Sequence, residues 1–312
     1  LKKFYFTLGI IILLILILAV GIFPKIGSHI QVEPIEVYKN PKIQTREDIR
    51  ISYLETGSFE TLEGFLFAGG SFFKPQKGSH MAVLISHPSG NILIDTGIGK
   101  NIDSQYESMP TWLKPFFSYE KKIPASEILL SKNITIESIL LTHMHWDHAS
   151  GLKDFSNVPF YTTKEEITTS QSESAKPPAY MTSQYEGLTN SKTLEFKDGP
   201  YEIYKESVDF YKDGSVVIVR LPGHSPGSIG IFVNLSPEKR YFFTGDLTWR
   251  REGFQFLTHK YFISSLLVDL DKSMMGKEIA RISEFQKLKP EIKVVPSHDS
   301  TAYGSIEKLE QK

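Results

Sequence analysis

The stretch "LLTHMHWDHASG", residues 140–151, constrains this chain more than any other. His143, His145, Asp147 and His148 crowd into six positions directly after the apolar run "IESILL". In an extended segment His143 and His145 point to the same side, because strand side chains alternate with period two. Asp147 and His148 then fall at a turn, or in the first turn of a helix, aimed back at the same pocket. Three later stretches end similarly, each an apolar run closing on a metal-ligating residue type: His224 in "LPGHSPG", Asp246 in "FFTGDL" and His298 in "VVPSHD".

Five imidazoles and two carboxylates exceed the needs of one zinc ion, since catalytic zinc usually takes three protein ligands plus water. The surplus fits two divalent metal ions. His143, His145 and His224 suit one ion, and Asp147, His148 and His298 the other. Asp246 bridges them, because a carboxylate has two oxygens to share. Zinc is favoured by the imidazole-rich set, while iron, manganese or cobalt accept the same donors.

The ordered set resembles the metallo-β-lactamase superfamily, whose signature H-x-H-x-D-H stands here as His143-Met144-His145-Trp146-Asp147-His148. Its other motifs match His224, Asp246 and His298 in order, and its first motif resembles "LIDTG" with Asp95. The resemblance covers roughly residues 50–305 and implies an α/β fold, the αβ/βα four-layer sandwich with metals at one rim. It also implies a supporting role for Asp95, orienting ligands from behind. Within the superfamily, "HPSGNILIDTG", "LPGHSPGS" and "TGDLTW" most resemble quorum-quenching lactonases and related lactone or ester hydrolases. β-Lactamases of the dinuclear kind use a cysteine where this chain has Asp246, and the chain has no cysteine. Lactonases acting on acyl homoserine lactones place a tyrosine three positions after the bridging aspartate, where this chain has Trp249. A second histidine, common directly after the "PGHxPG" loop, is replaced by Ser228.

The expected chemistry is metal-assisted hydrolysis of a lactone or ester, possible N-acyl homoserine lactone-like substrates included. Asp147 and His298 are the residues expected to act in catalysis, Asp147 by protonating the leaving oxygen. Alternatives are a thioesterase like glyoxalase II, a phosphodiesterase of the same fold, or a non-hydrolytic metal-binding protein. With Trp249 in the tyrosine position, Tyr303 is the expected oxyanion donor.

Around this domain, residues 4–23, "FYFTLGIIILLILILAVGIF", form a 20-residue uncharged run. As a helix it would extend roughly 30 Å, the thickness of a bilayer's hydrocarbon core. Lys2 and Lys3 precede it, which favours a cytoplasmic N-terminus and a domain on the extracytoplasmic side. The run reads as a transmembrane anchor (residues 1–23), with a cleaved signal peptide ending near Ala19-Val20-Gly21 as the competing reading. Cleavage would make the protein secreted. Residues 24–48 carry three prolines and read as a tether, and residues 49–312 as the hydrolase domain. The chain of 312 residues balances 35 basic against 36 acidic side chains, which gives no footprint for a nucleic-acid partner.

Several residues outside the motif carry expectations. "HMAVLISH" and "GNILIDTG" read as a hairpin. "DKSMMGKEIARISEFQKL" reads as a helix with Met275, Ile279, Ile282, Phe285 and Leu288 at helical spacing. "TTSQSESAKPPAYMTSQ" reads as a surface loop or lid. His29, His80, His87 and His259 read as ordinary surface or strand histidines. Trp146 and Trp249 pack in the core or line the substrate pocket; Trp112, Phe116 and Phe117 are core or the rim of an acyl-chain pocket.

Overall fold

Runs such as "ILI", "VVIV" and "IGIFVNL" are apolar at every position, which suits strands covered on both faces. The computed structural model describes residues 30–38, 45–172, 175 and 178–311 and places these runs inside two sheets. The first holds β1 (Arg50–Leu62), β2 (Pro75–Ser86), β3 (Ile92–Ile94), β5 (Ser138–Leu140), β6 (Phe160–Thr162) and β7 (Ser191–Thr193) in that order. Two short strands, β4 (Glu120–Lys121) and β13 (Glu307–Lys308), pair with β1. The second sheet runs β12 (Ile292–Val295), β11 (Lys239–Phe243), β10 (Ile229–Ser236), β9 (Val216–Arg220), β8 (Ser207–Asp209). Both sheets are mixed: β3, β5, β6 and β7 run parallel in the first, β11 and β12 in the second, and the hairpin β2–β3 is antiparallel as expected.

Alternation within each strand divides the apolar side chains between two layers. Val83, Ile85, Ile92, Ile94, Ile218, Ile231 and Val233 meet between the sheets. Ala82, Leu84 and Leu93 face outward against the helix α1 (Ala125–Ser131). On the opposite outer face Val217, Val219, Phe232 and Phe242 receive Met275, Ile279, Ile282 and Phe285. These last come from α4 (Lys272–Leu288), a helix started by Asp271, whose carboxylate accepts from Met274 N at 2.8 Å. Leu288, in its last turn, is exposed. The four layers expected from the family resemblance are therefore present.

Topology places the ligand-bearing loops together. β3 and β5 are parallel, so Asp95 and the segment from Thr142 onward leave the first sheet at one edge. In the second sheet β9 and β11 are both antiparallel to β10, and β12 is parallel to β11. The ends leading to His224, Asp246 and His298 thus share an edge as well. Backbone bonds tie the two edges, with Ile229 N donating to Thr142 O at 2.9 Å. Gly245 adopts φ +54°, and a Cβ there would stand 3.1 Å from that of Thr142; close approach requires glycine before Asp246.

The expected surface loop differs from what forms. Its first residues belong to α2 (Lys164–Ser170), and Tyr180, Met181 and Gln184 are buried. Polar handles explain this: Tyr180 Oη donates to Glu166 at 3.0 Å and Gln184 Nε2 to Trp146 O at 2.8 Å. The expected membrane segment lies outside the described residues, and among those described no helix is long and apolar enough to cross a membrane. Of the expected tether, Ile30 and Ile35 pack against the α4 layer.

Phe232 is fully buried and stacks on Phe242 with ring centres 3.9 Å apart. Phe232→Ala is expected to destabilise the domain by about 3–5 kcal/mol. A urea titration checks this, as a lowered midpoint at unchanged slope.

Candidate metal centre

Local structure delivers the motif as its spacing demands. His143 and His145 follow β5, and His145 in extended backbone (φ −68°, ψ 159°) opens the single helical turn Trp146–Ala149 that carries Asp147 and His148. Gly223 at φ +134° turns the chain before His224, tight against Met275. All seven predicted residues are buried.

They form two groups. Ligating atoms of His143, His145 and His224 lie within 4.8 Å of one another, as do those of Asp147, His148, Asp246 and His298. Asp246 faces both: its Oδ2 is 3.7 Å from His224 Nε2 and 3.0 Å from His298 Nε2, and its Oδ1 is 3.3 Å from His148 Nε2.

The outer nitrogens decide whether such a set suits metal. His148 Nδ1 is 2.8 Å from Asp95, His224 Nδ1 2.7 Å from Asp269, and His298 Nδ1 2.9 Å from the Ser79 carbonyl. Thr142 Oγ1 donates to Asp95, so it accepts from His143 Nδ1 at 3.1 Å. Each Nδ1 therefore carries its proton toward an acceptor, which leaves the Nε2 lone pairs of four rings turned inward. Among the described residues, His148 Nε2 and Asp246 Oδ1 are buried without a hydrogen-bond partner. Inward lone pairs and unpartnered carboxylate oxygens fit borderline divalent cations.

Electrostatics separate the two groups. Burial, and then the neighbouring imidazoles, push His143 and His145 well below the usual histidine range, which favours the neutral ligand form. Burial also opposes charge on His148 and His298, but the carboxylates beside them outweigh it and hold both above that range. Burial would raise Asp246, yet His298 and His148 hold its carboxyl well below the carboxylate range.

Several supporting residues had no signal in the sequence. Asp269 is shared between His224 and the buried Lys260, whose Nζ lies 2.7 Å from it and 2.6 Å from the Asp246 carbonyl. Glu166 accepts from Met144 N, Gly227 N, Ser225 Oγ and Tyr180 Oη, which fastens both histidine loops to α2. Asp95 supports His148 and Thr142 from backbone at φ +54°, a conformation that residues other than glycine rarely adopt.

Other expectations need correction. His80 is no ordinary strand histidine: buried in β2, it sets Nδ1 3.1 Å from Asp147 Oδ2 and its ring against Trp146 and His298. The alternation of β2 could have put it on a face, but not beside Asp147. His87 is buried, bonded to Asp213 and stacked on Tyr211, and His259 is buried and pushed down to about 4 by that burial. His29 lies outside the described residues. Tyr303 is buried between Tyr53 and Phe243 and does not line the cavity. Trp249 reaches the centre from the tyrosine position, but its Nε1 donates to Asp246 Oδ2 at 2.8 Å.

The centre opens into a cavity of about 310 Å³. Trp146 and Trp249 line it with Phe59, Phe65, Phe116 and Leu267. Leu267 belongs to α3 (Phe262–Val268), which roofs one side. Among the described residues that line it there is no lysine or arginine.

Residues 76–298 match the Metallo-beta-lactamase superfamily, and the chain belongs to that superfamily. Among curated relatives, an N-acyl homoserine lactonase of Bacillus thuringiensis is 24% identical over 182 residues, 55% of this chain. The match spans 65% of that relative's length. Among solved structures, a B. thuringiensis AiiA mutant with N-decanoyl-L-homoserine at its active site superposes with a TM-score of 0.64 at 19% identity. That superposition covers 86% of this chain and 98% of the other. A probable metal-dependent hydrolase from Staphylococcus aureus gives 0.63 at 20% identity, covering 83% and 91%. At these identities the likeness shows a shared fold.

Trp249→Phe removes the one indole donor to Asp246 while keeping an aromatic ring. Metal affinity is expected to fall about 10–100-fold, as for other lost partners of a ligand. Competition against a chelator of known affinity measures it, and unchanged affinity would show the bond to be idle.

Proposed function

We propose that this protein is a metal-dependent hydrolase of a lactone or ester, of the N-acyl homoserine lactone-like kind. The observation that carries the reading is the pair of donor clusters, joined by Asp246, opening into an apolar cavity. Thioesters and phosphodiesters are the alternatives on the same fold; beyond the donor clusters the cavity presents mainly apolar side chains, Phe59, Phe65, Phe116 and Leu267 among them. An uncharged acyl group suits it better.

His143, His145 and His224 would hold one divalent ion, Asp147, His148 and His298 a second, with Asp246 between them. Bound there, such ions lower the pKa of water to about 7 and polarise a carbonyl. The protein's own residues supply the rest. Phe116, Phe65 and Leu267 exclude water and give an acyl chain apolar contact. Asp147 is kept ionised: burial opposes its charge, but His148, His80 and His298 surround it. It can therefore take the proton released when water adds to the acyl carbon, then return it to the leaving oxygen as the acyl C–O bond breaks. One water is consumed, and an acid and an alcohol are formed. His80 fixes the direction of the Asp147 carboxylate through Nδ1. Trp249 spends its N–H on Asp246, so it orients the shared carboxylate rather than the substrate.

The same reading places the domain outside the cytoplasm, held at the membrane by residues 4–23. The charge-free run and the two lysines before it support this placement.

A panel of chromogenic esters, lactones, thioesters and phosphodiesters tests the class, with metal content measured on the same samples. The expected result is turnover of esters or lactones by protein carrying about two divalent ions per chain. Asp147→Asn is expected to lower kcat/KM by about 10²–10⁴-fold. Metal-loaded protein silent on every substrate would exclude a hydrolase of these bonds.

A further inference from the structure

The apolar lining of the cavity continues onto the outer surface. On α3, Ile263 and Leu267 line the cavity, whereas Phe262 and Leu266 are exposed, Leu266 to 80%. Just beyond, Leu270 and Met274 are exposed too. The backbone N–H of Leu270 bonds the carbonyls of Gly223 and His224, which sets this stretch at the metal-bearing edge. Leu267 also packs on the cluster that contains Leu113, and from that second segment Trp112 and Phe116 are exposed. Phe116 lines the cavity as well. Exposed aromatic and aliphatic side chains thus flank, in two separate segments, residues that line the cavity, and exposed apolar surface of this kind marks an interaction site.

The chain itself says what covers it. Ile30 lies against Gly276, its Cγ1 3.7 Å from where a Gly276 Cβ would sit. That contact is near the start of α4, two residues from Met274. Only six residues, 24–29, separate Ile30 from the uncharged run ending at Phe23. Fully extended, that leash covers about 22 Å at most. A domain held to a bilayer by such a leash faces it with the side from which the leash leaves. Lys114 and Lys272, within the same two rim segments, have the apolar stems and charged heads suited to the headgroup level.

We propose that the rim formed by residues 112–116 and 262–274 rests in the surface of a lipid bilayer, so that the cavity receives an acyl-bearing amphiphile directly from the membrane. The docking rests on the reading of residues 4–23 as a membrane segment and is independent of the catalytic reading, which supplies only the ester or lactone of the amphiphile.

The full chain is reconstituted with phosphatidylcholine–phosphatidylglycerol vesicles and separated by flotation. Its tryptophan emission is then recorded with lipids brominated near the headgroup end of the acyl chain. The difference between the parent protein and Trp112→Phe isolates Trp112. Its emission is expected to fall at least about two-fold, because interfacial apolar faces sit about 5–10 Å into the headgroup–acyl boundary. Leu266→Asp combined with Leu270→Asp, both at exposed positions, is expected to restore that emission while the protein still floats. A floating protein with unquenched Trp112 overturns the docked rim and leaves the membrane segment standing. If Trp112 then crosslinks to a second copy, the rim belongs to a dimer. Quenching that survives the double substitution also overturns the proposal, and a chain that fails to float overturns both rim and membrane segment. No turnover is measured, so none of these outcomes bears on the hydrolase reading.

Discussion

Removing an ionised carboxylate from water costs several kcal/mol unless charge and hydrogen bonds replace the lost hydration. This protein buries the carboxylates of Asp95, Asp147, Asp246 and Asp269 around five imidazoles at one edge of two sheets. The arrangement holds because each of the carboxylates at the rim of the site meets a partner of opposite character. Asp95 faces His148 and Thr142, Asp269 faces His224 and Lys260, and Asp147 faces His80. Lys260 is itself buried, so removing Asp269 would strand an ammonium group beside the centre. Satisfying the outer atoms fixes the inner ones, and the shape of the site follows from neighbours that are not ligands.

The two halves of this arrangement were unequally legible in the sequence. The positions of the two donor clusters were readable because each residue follows a run apolar on both faces, and such runs announce buried strands whose ends carry the polar residues. The hairpin at Pro88-Ser89-Gly90 and the period of α4 were readable for similar local reasons. His80, Glu166, Lys260 and Asp269 were not. Their partners lie 67, 22, 14 and 45 positions away, and their immediate surroundings differ in nothing from those of surface residues. Tyr303 shows the converse error. Proximity to His298 in sequence suggested a role at the site, yet the turn after Asp299 sends the ring into the core between the sheets.

Trp249 occupies the place where specificity was expected to open, and its hydrogen bond changes what that position does. A phenol there could face a substrate; the indole is committed to Asp246. Discrimination among substrates then falls to shape and apolar contact along the cavity, where Phe59, Phe65 and Phe116 are gathered. Selection by fit of this kind separates chain lengths and bulk more readily than it separates polar head groups.

Glu166 accepts bonds from the loop of His143 and His145, from the loop of His224, and from Tyr180, while contributing no ligand itself. It works as a keystone between the rigid centre and the segment that follows α2. That segment also reaches the motif directly, because Trp146 N donates to the Ala179 carbonyl and Gln184 Nε2 to the Trp146 carbonyl, so the centre and the segment are braced against each other twice over. A lineage that redrew residues 178–184 would therefore have to redraw the seat of His145 with them, and the entrance and the centre evolve as one piece.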